Sequence, residues 1–298
     1  MSTPTAAHDT EYGLLRSPWT DHFIAALGST KHEIFISSPF VNAGGAEILA
    51  DAVRARTSVQ LTLLTCLSAQ NVMSGATDPS ALHYLHDQFG QVRISSLGRL
   101  HAKVYLIDGR VGIITSANMT AGGLRANFEY GVRIDDGKTI AAIRKDMDHY
   151  YALGNILDRM AIERVQRMAG EALRIRDLAD RTQRTTELVG RLNRAIAEIE
   201  SELLKNRVKD GRTVNDIFSD TILYALAMIG PLGTKELHAI IQPLHPDICD
   251  NTVDRVINGQ HFGRRWKHLV RSAQQHLKRR KLIDLRAGKW HLATRKDY

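Results

Sequence analysis

Cysteine and long apolar runs are both nearly absent from this chain. Its 298 residues include two cysteines, Cys66 and Cys249, which lie far apart in otherwise globular patterns. A disulfide framework is therefore excluded, and a reducing compartment is expected. No stretch of about 18 apolar residues occurs, and Met1 to Thr10 lacks the basic start and apolar run of a secretion signal. We expect a soluble cytoplasmic protein with no membrane partner.

Acidic side chains are too few to balance the basic ones. Against 40 lysines and arginines the chain has 32 acidic residues, which gives a formal net charge of +8 and a sequence pI of about 9.6. This excess favours a polyanionic partner, either a nucleic acid or an anionic membrane. The length fits two or three domains, each large enough to bury its own core.

A strand, a glycine turn and a second strand are predicted between Leu100 and Asn118. In the first strand, polar and aromatic residues alternate with apolar ones, the period of two expected of a β-strand. Gly109 marks the turn, and either Asp108-Gly109 or Gly109-Arg110 can form its two central residues. Both cases predict an antiparallel hairpin.

Four polar side chains are predicted to converge on one face of this hairpin. If the later of the two turns forms, His101 lies opposite Asn118. Lys103 then lies opposite Ser116, and the earlier turn also leaves all four on one face. An imidazole can attack phosphorus, an ammonium can hold the nonbridging oxygens, and a hydroxyl and an amide can donate hydrogen bonds to them. This set favours a site that cleaves a phosphodiester.

The order of these residues resembles the HKD motif of the phospholipase D superfamily. His-x-Lys is followed after four residues by Asp108, and after seven more by Ser-x-Asn. The resemblance extends over four further segments, at 33–40, 44–46, 59–65 and 122–132. It covers residues 11–150 and departs from the family at Thr115, where a glycine is usual.

The resemblance implies a role for each site residue. His101 would attack phosphorus and form a covalent phosphohistidine, with Glu129 orienting its imidazole. Asp108 is expected to stabilise the hairpin turn. The charge on the pentacoordinate phosphorus would be held by the remaining polar side chains, which are Lys103, Ser116 and Asn118. Neither a metal nor another cofactor is implied.

Only one complete HKD motif is present, at His101 and Lys103, because His276-x-Lys278 lacks the Asp and the Ser-x-Asn at the required spacings. Lipase-type members of the family carry two such motifs in one chain, and their histidines face each other. The resemblance therefore implies that a second subunit supplies the second histidine, and it predicts a homodimer.

Residues 151–209 are predicted to be helical. Proline is absent from 155 to 209, and apolar residues recur at alternating spacings of four and three within 161–179 and again within 188–203. The phase breaks at 181–186, so both two helices and one interrupted coiled coil fit the pattern. The segment is either packed on its own domain or a dimerisation element.

Residues 210–298 are predicted to form a separate winged-helix domain. Its first predicted helix lies at 216–229, and a second begins after a cap at Thr234. A further helical turn is predicted at 251–257 and a last helix at 263–280. A two-stranded wing follows at 282–293, with Ala287 and Gly288 at its turn.

Basic residues are concentrated in this last domain. Between Arg255 and Lys296 there are thirteen lysines and arginines and one acid, Asp284. A one-sided charge of this kind is typical of a surface that contacts phosphates. The residues predicted to bind nucleic acid are Arg264, Arg265, His268, Arg271, Gln275 and Lys278. The alternative is a solvated helix face in a winged helix that binds protein.

These features together predict an α/β fold, a mixed phospholipase D-like sheet flanked by helices at 11–150, after a disordered segment at 1–10. The expected activity is metal-independent hydrolysis of nucleic-acid phosphodiester bonds, with DNA favoured over RNA, in a restriction or anti-phage role. A helicase or a methyltransferase would then be a partner. The alternatives are phospholipid cleavage and a non-catalytic DNA-binding regulator.

Overall fold

Eight strands form one mixed sheet in the part of the chain that the structure, a computed structural model, describes. The described residues are 12–17, 19–53, 58–181 and 186–293, and the predicted disordered segment at 1–10 lies outside them. The strands are β1 (Tyr12–Arg16), β2 (Glu33–Ser37), β3 (Gln60–Thr65), β4 (Gln91–Ser96), β5 (Val104–Ile107), β6 (Val111–Thr115), β7 (Tyr130–Ile134) and β8 (Asn155–Leu157). Their order across the sheet is β1-β7-β6-β5-β2-β3-β4-β8. Neighbours within β2-β3-β4 are parallel, and the other neighbouring pairs are antiparallel.

Helices cover both faces of this sheet. They are α1 (Thr20–Gly28), α2 (Ala43–Val53), α3 (Ala69–Met73), α4 (Pro79–Gln88), α5 (Gly137–Leu153), α6 (Arg159–Arg181) and α7 (Thr186–Arg207). One face carries α1, α2, α4 and α6 around a core that includes Phe23, Leu49 and Ile36. The other face carries α5, whose Ile140 and Met147 pack in a second cluster. The predicted α/β class, with a mixed sheet flanked by helices, is confirmed.

Strand β5 is buried along its whole length. Tyr105 and Ile107 face the first core, while Val104 and Leu106 face the second. A strand in the middle of a sheet covered on both faces has no solvent side, so an alternation of polar and apolar residues does not describe it. The polar part of the predicted pattern, His101 and Lys103, lies before the strand, which begins only at Val104.

The hairpin register differs from both predicted turns. Ile107 pairs with Val111, so three residues separate the strands instead of two. Asp108 and Gly109 both have positive φ, and the Arg110 N–H donates to the Ile107 carbonyl at 2.9 Å. A shift of one residue reverses the parity of every pair. The predicted pairing of His101 with Asn118 and of Lys103 with Ser116 is therefore wrong.

The helical segment at 151–209 packs against the sheet of its own chain. Its first three residues end α5, and β8 then extends the sheet by pairing with β4. Helices α6 and α7 contact each other extensively, and their apolar residues, such as Val165 and Ile199, belong to the first core. Two helices are thus present, although the predicted break is only partly described because 182–185 lie outside the described residues. No helix in the described ranges is long and apolar enough to cross a membrane.

The remaining elements form a second core of their own. They are α8 (Val214–Ile229), α9 (Thr234–Leu244), β9 (Asp254–Ile257), β10 (Gln260–Arg264), α10 (Arg265–Arg279), β11 (Ile283–Arg286) and β12 (Lys289–Leu292). Phe218, Ile241 and Trp266 are buried where the three helices meet. Leu232 forms a β-bridge with Trp290, so a third short segment joins the β11-β12 hairpin. The two strands predicted at 282–293 are present as an antiparallel hairpin, and the winged-helix assignment itself remains a prediction.

Two details of this region differ from the sequence prediction. Residues 251–257 do not form a helical turn, because Asp254 to Ile257 is the first strand of the β9-β10 hairpin. Asn258 and Gly259 both have positive φ at its turn, and this dipeptide is the sequence signal that could have predicted the hairpin. The cap of α9 is Gly233, whose N–H donates to the Glu236 carboxylate at 2.6 Å, and not Thr234.

A buried polar network joins the two cores. The Arg207 guanidinium, at the end of α7, donates to the Asp247 carboxylate at 2.8 and 2.9 Å and to Nδ1 of His245. Nδ1 accepts, so the proton of the neutral ring is on Nε2, which donates to the Thr221 hydroxyl at 2.6 Å. Burial, together with the neighbouring Arg207, lowers the pKa of His245 to about 2.

The neutral His245 makes stability depend on pH. Between its ordinary pKa and about 2 the unfolded chain binds one proton that the folded chain does not, so stability decreases as pH falls below about 6.5. The loss from this residue between pH 7 and pH 5 is about 2 kcal/mol. In His245→Gln, the difference in unfolding free energy between these pH values, measured by urea denaturation, should shrink by that amount. The exposed His22→Gln should leave it unchanged, and an unchanged difference in His245→Gln would contradict the assignment.

Candidate active site

The candidate site lies at the edge of the sheet where β2 ends and β5 begins. Ser37, the last residue of β2, pairs with Val104, and the Ser37 hydroxyl donates to the Ala102 carbonyl at 3.0 Å. The Thr115 N–H donates to the Lys103 carbonyl at 3.2 Å. His101, Lys103 and Ser116 are thus brought to one edge by the loops that enter β5 and leave β6, although not by the predicted pairing.

His101 and Lys103 are in direct contact. The imidazole is exposed, whereas Lys103 is only 8% exposed. Its ammonium donates to the His101 carbonyl at 2.9 Å and lies 3.4 and 3.3 Å from the two ring nitrogens, so it is aligned with neither of them. Desolvation lowers the pKa of Lys103, an effect that the Glu129 carboxylate partly offsets. The site thus presents an accessible imidazole next to a fixed, poorly hydrated cation.

Glu129 binds Ser116 in this chain. Its carboxylate accepts a short hydrogen bond from the Ser116 hydroxyl and another from the Asn127 amide at 3.1 Å. The Tyr130 N–H donates to the same hydroxyl at 3.1 Å. Among the described contacts of His101 the Glu129 side chain does not appear, so the predicted orienting contact is replaced by one that holds Ser116.

Asn118 lies two residues beyond Ser116 in a tightly held loop. Its side-chain oxygen is buried without a hydrogen-bond partner. A buried acceptor of this kind costs about 1–3 kcal/mol and is expected where a ligand can supply the donor. The carbonyl and amide could be exchanged by a flip of the side chain, which would present a donor at the same place.

The loop that carries Asn118 is fixed by residues that the sequence analysis missed. The Met119 N–H donates to the Ser38 hydroxyl at 2.8 Å, and the Ala121 N–H donates to the Asn42 side chain at 3.0 Å. The Tyr105 hydroxyl, fully buried, donates to the Ala117 carbonyl at 2.9 Å. The residues that hold this loop are 12 to 81 positions away from it in the sequence, so no local spacing predicts these contacts.

Asp108 lies at the other end of β5 and does not enter the site. Its carboxylate accepts backbone hydrogen bonds at 2.7–2.9 Å from Lys31, His32 and Glu33 and forms an ion pair with Arg110. These donors lower its pKa despite desolvation, which acts in the opposite direction. The residue ties the hairpin turn to the start of β2, which matches the stabilising role expected of it.

The predicted nucleic-acid-binding residues follow α10 and its entry. Exposed members of this surface are Arg264, Arg265, Arg271, Gln275 and Lys278. His268 is half-buried, and its ring bonds to the Phe262 carbonyl at 2.7 Å, so it holds the β9-β10 hairpin against the helix. Across the described residues, no cluster of three or more acidic, histidine or cysteine side chains is placed to hold a metal ion.

The C-terminal core touches the loop that leads to His101. A Cβ on Gly98 would lie 2.8 Å from the Leu244 carbonyl oxygen and 3.0 Å from Pro246, so glycine allows the two units to meet. A cavity of about 780 Å³ opens beside this contact, between Arg99 on one side and Asn251 on the other. The polar network around His245 lies next to the same contact.

Residues 23–151 match the family model described as Cardiolipin synthase, PLD-like domain. This part of the chain is therefore similar to a phospholipase D-like domain, and the similarity supports a phosphodiesterase of that kind. No curated protein matches the chain.

Several solved structures are similar to parts of the chain. Nuc, a phospholipase D family member from Salmonella typhimurium, is 18% identical, with 49% of this chain and 97% of that chain covered and a TM-score of 0.42. NucT from Helicobacter pylori is 16% identical over 47% and 94%, with a TM-score of 0.38. Phosphatidylserine synthase from Haemophilus influenzae Rd KW20 is 11% identical over 73% and 54%, with a TM-score of 0.39. Similarity at this level does not identify a substrate.

The position of Asn118 depends on a glycine. A Cβ on Gly123 would lie less than 3 Å from the backbone of Asn118. We expect Gly123→Ala to displace this loop, lowering the rate of phosphodiester cleavage at least about tenfold and the melting temperature by several degrees. Gly170→Ala, in α6 with nothing within 4 Å of the added Cβ, is the control and should leave both unchanged or raise stability slightly. Equal effects of the two variants would refute the argument.

Proposed function

We propose that the protein is a metal-independent endonuclease that hydrolyses nucleic-acid phosphodiester bonds, with DNA as the favoured substrate, and acts as a homodimer. The observation that carries the proposal is the exposed His101 imidazole beside the buried Lys103 ammonium. Ser116 and Asn118 lie in the same loop region, and the order of the four matches a phosphohistidine-forming motif. The basic surface along α10 supports a polyanionic substrate.

The proposed reaction has two displacement steps. A His101 ring nitrogen attacks phosphorus, and the bond to the leaving oxygen breaks while the imidazolium of the partner subunit's His101 gives that oxygen a proton. Water then attacks the phosphohistidine, the partner subunit's His101 takes the proton from the water, and the phosphorus–nitrogen bond breaks. The products are a phosphate-ended strand and a hydroxyl-ended strand, and both histidines return to their starting states.

The other site residues stabilise charge. Lys103 is held at a fixed position by its bond to the His101 carbonyl, so little reorganisation is needed when charge develops on the nonbridging oxygens. Ser116 is oriented by Glu129 and by the Tyr130 N–H. The restriction or anti-phage role and the helicase or methyltransferase partners stay predictions from the resemblance.

Phospholipid cleavage is a second candidate, favoured by the matched family model and by exposed apolar side chains near the site. Leu14 is 58% exposed on β1, and Ile114 is 39% exposed on β6. Cleavage of phosphatidylcholine or cardiolipin vesicles, compared with cleavage of plasmid DNA, separates the two activities. If the protein cleaves the lipid vesicles and does not cleave DNA, the endonuclease proposal is wrong and phospholipid hydrolysis takes its place.

Removal of the nucleophile should separate catalysis from binding. His101→Ala is expected to lower DNA cleavage by at least about 10³-fold, because the covalent step is lost, while nucleic-acid affinity stays nearly unchanged. The exposed His22→Ala serves as the control. Reversing the charge of Arg271 and Lys278 should instead weaken binding and reduce its salt dependence.

Cleavage by the native protein should persist in excess EDTA. Loss of cleavage that is restored by Mg²⁺, or a His101→Ala variant that still cuts at a comparable rate, would contradict the mechanism.

A composite site predicts how mixed dimers behave. If each site needs His101 from two subunits, a heterodimer of native and His101→Ala chains is inactive. Under random subunit exchange the cleavage rate should therefore fall with the square of the native fraction. The rate is measured after unfolding and refolding defined mixtures. A linear fall, or a fully active monomer in sedimentation, would show that each chain acts alone.

A further inference from the structure

The ring of Phe128 is completely exposed at the rim of the candidate site. Its relative exposure is 101%, the highest among the large hydrophobic side chains of the described residues. Phe128 immediately precedes Glu129, which holds Ser116. An exposed phenylalanine does not contribute the free energy that its burial would add to the stability of the fold. A binding role at this position is therefore indicated.

The backbone around Phe128 is firmly held. The Ser17 hydroxyl donates to the Asn127 carbonyl at 2.9 Å, and the Glu129 N–H donates to the Ser17 hydroxyl at 2.6 Å. The Asn127 N–H donates to the Gly122 carbonyl at 2.8 Å. Hydrogen bonds on both sides of Phe128 fix the position of its backbone, so the ring projects from a held loop.

A second exposed aromatic ring follows two residues after Phe128, and a cation pairs with that residue across the strands. Tyr130, two residues further on, is 53% exposed, and its N–H contacts the Ser116 hydroxyl at 3.1 Å. Arg16 on β1 lies directly opposite Tyr130 in the antiparallel pair and is exposed. Paired residues have Cβ atoms about 5 Å apart, so the arginine can reach the tyrosine ring or a phosphate beside it.

We propose that Phe128 stacks on an unpaired nucleobase next to the scissile phosphate, with Tyr130 supporting the neighbouring nucleotide, so that the substrate is single-stranded or locally unpaired nucleic acid. The inference rests on the proposed nuclease function. Every base has a π-face, so exposed aromatic rings along a positively charged track bind single strands without reading sequence. The bases of an intact duplex are already stacked and do not offer their faces to a ring at the rim.

Positive charge favours an anionic partner, a nucleic acid or an anionic lipid surface, over a second copy of this basic chain at this ring. Arg16 lies beside Tyr130, and Arg125 precedes Phe128 by three residues, while the C-terminal unit adds a strongly basic surface. Leu14, which shares the exposed face of β1 with Arg16, has no ring. It therefore distinguishes stacking from general apolar contact, since a lipid or protein partner would use both side chains.

The test uses short single-stranded DNA with one abasic position moved stepwise past the cleaved phosphate. For the native protein, an abasic nucleotide at the stacked position should lower kcat/KM about 5- to 100-fold, the loss expected for one base–aromatic stack. Phe128→Leu should lose a similar factor on intact DNA and show no further loss on the abasic strand. Phe128→Trp should retain the native preference, and Leu14→Ala should behave as native. Intact duplex should be cut more slowly than the same sequence as a single strand.

Three outcomes would overturn the inference. Additive losses from Phe128→Leu and the abasic position would show that ring and base do not touch. Equal losses in Phe128→Leu and Leu14→Ala, accompanied by dissociation in sedimentation or by weaker binding to anionic vesicles, would assign the surface to a second copy or to lipid. Faster cutting of intact duplex would also contradict it. Binding measured in the His101→Ala background keeps the inference testable if the cleavage assay fails, because base stacking does not require chemistry.

Discussion

The candidate site depends on the close approach of two loops, at 38–45 and 116–123, beside the sheet edge. The Asn42 N–H donates to the Met119 carbonyl at 3.2 Å, and Val41 forms a β-bridge with Met119. A Cβ on Gly45 would overlap the backbone of Met119 and Thr120. Because Gly45 has no side chain, the two backbones can pack in direct contact. That contact fixes the position of Asn118 relative to His101. Helix α2 begins at the same place, so the packing of the first core and the geometry of the site are linked.

The burial of Lys103 sets the electrostatics of this edge. An ammonium removed from water costs several kcal/mol unless acceptors and opposite charge compensate it. Here the His101 carbonyl and the negative charge of Glu129 compensate, and the pKa of Lys103 still falls below its ordinary value. Glu129 therefore contributes in two ways, by binding Ser116 and by keeping a cation in place. A site arranged in this way holds its positive charge before a phosphate arrives, which favours stabilisation of the transition state.

The sequence predicted the parts of the molecule that depend on local pattern. The spacing of residues predicted the gathering of His101, Lys103 and Ser116 at one place. It also predicted the helices within 151–209 and the basic helix that is followed by a two-stranded hairpin. Hairpin parity could not be predicted, because one extra residue at the turn reverses it. The hydrogen-bond partner of Glu129 and the donors to Asp108 could not be predicted either. Ser116 is 13 positions from Glu129, and the backbone donors to Asp108 are more than 70 positions away from it. Long-range contacts of this kind are set by packing and leave no periodic signal.

The junction between the two cores constrains how binding and chemistry can be related. Leu244 and Pro246 contact the backbone at Gly98, three residues before His101, and the neighbouring His245 is locked as a neutral ring between Arg207 and Thr221. Both terminal nitrogens of Arg207 and both ring nitrogens of His245 are hydrogen-bonded in this buried network, although Nε of Arg207 has no partner. A buried network of this kind tolerates little displacement. The basic surface on α10 is therefore held at a defined position relative to the loop that carries His101 in each chain. In a dimer with one composite site, two such surfaces would be presented by symmetry, and the path of the bound strand would be determined by the fold and not by a flexible tether.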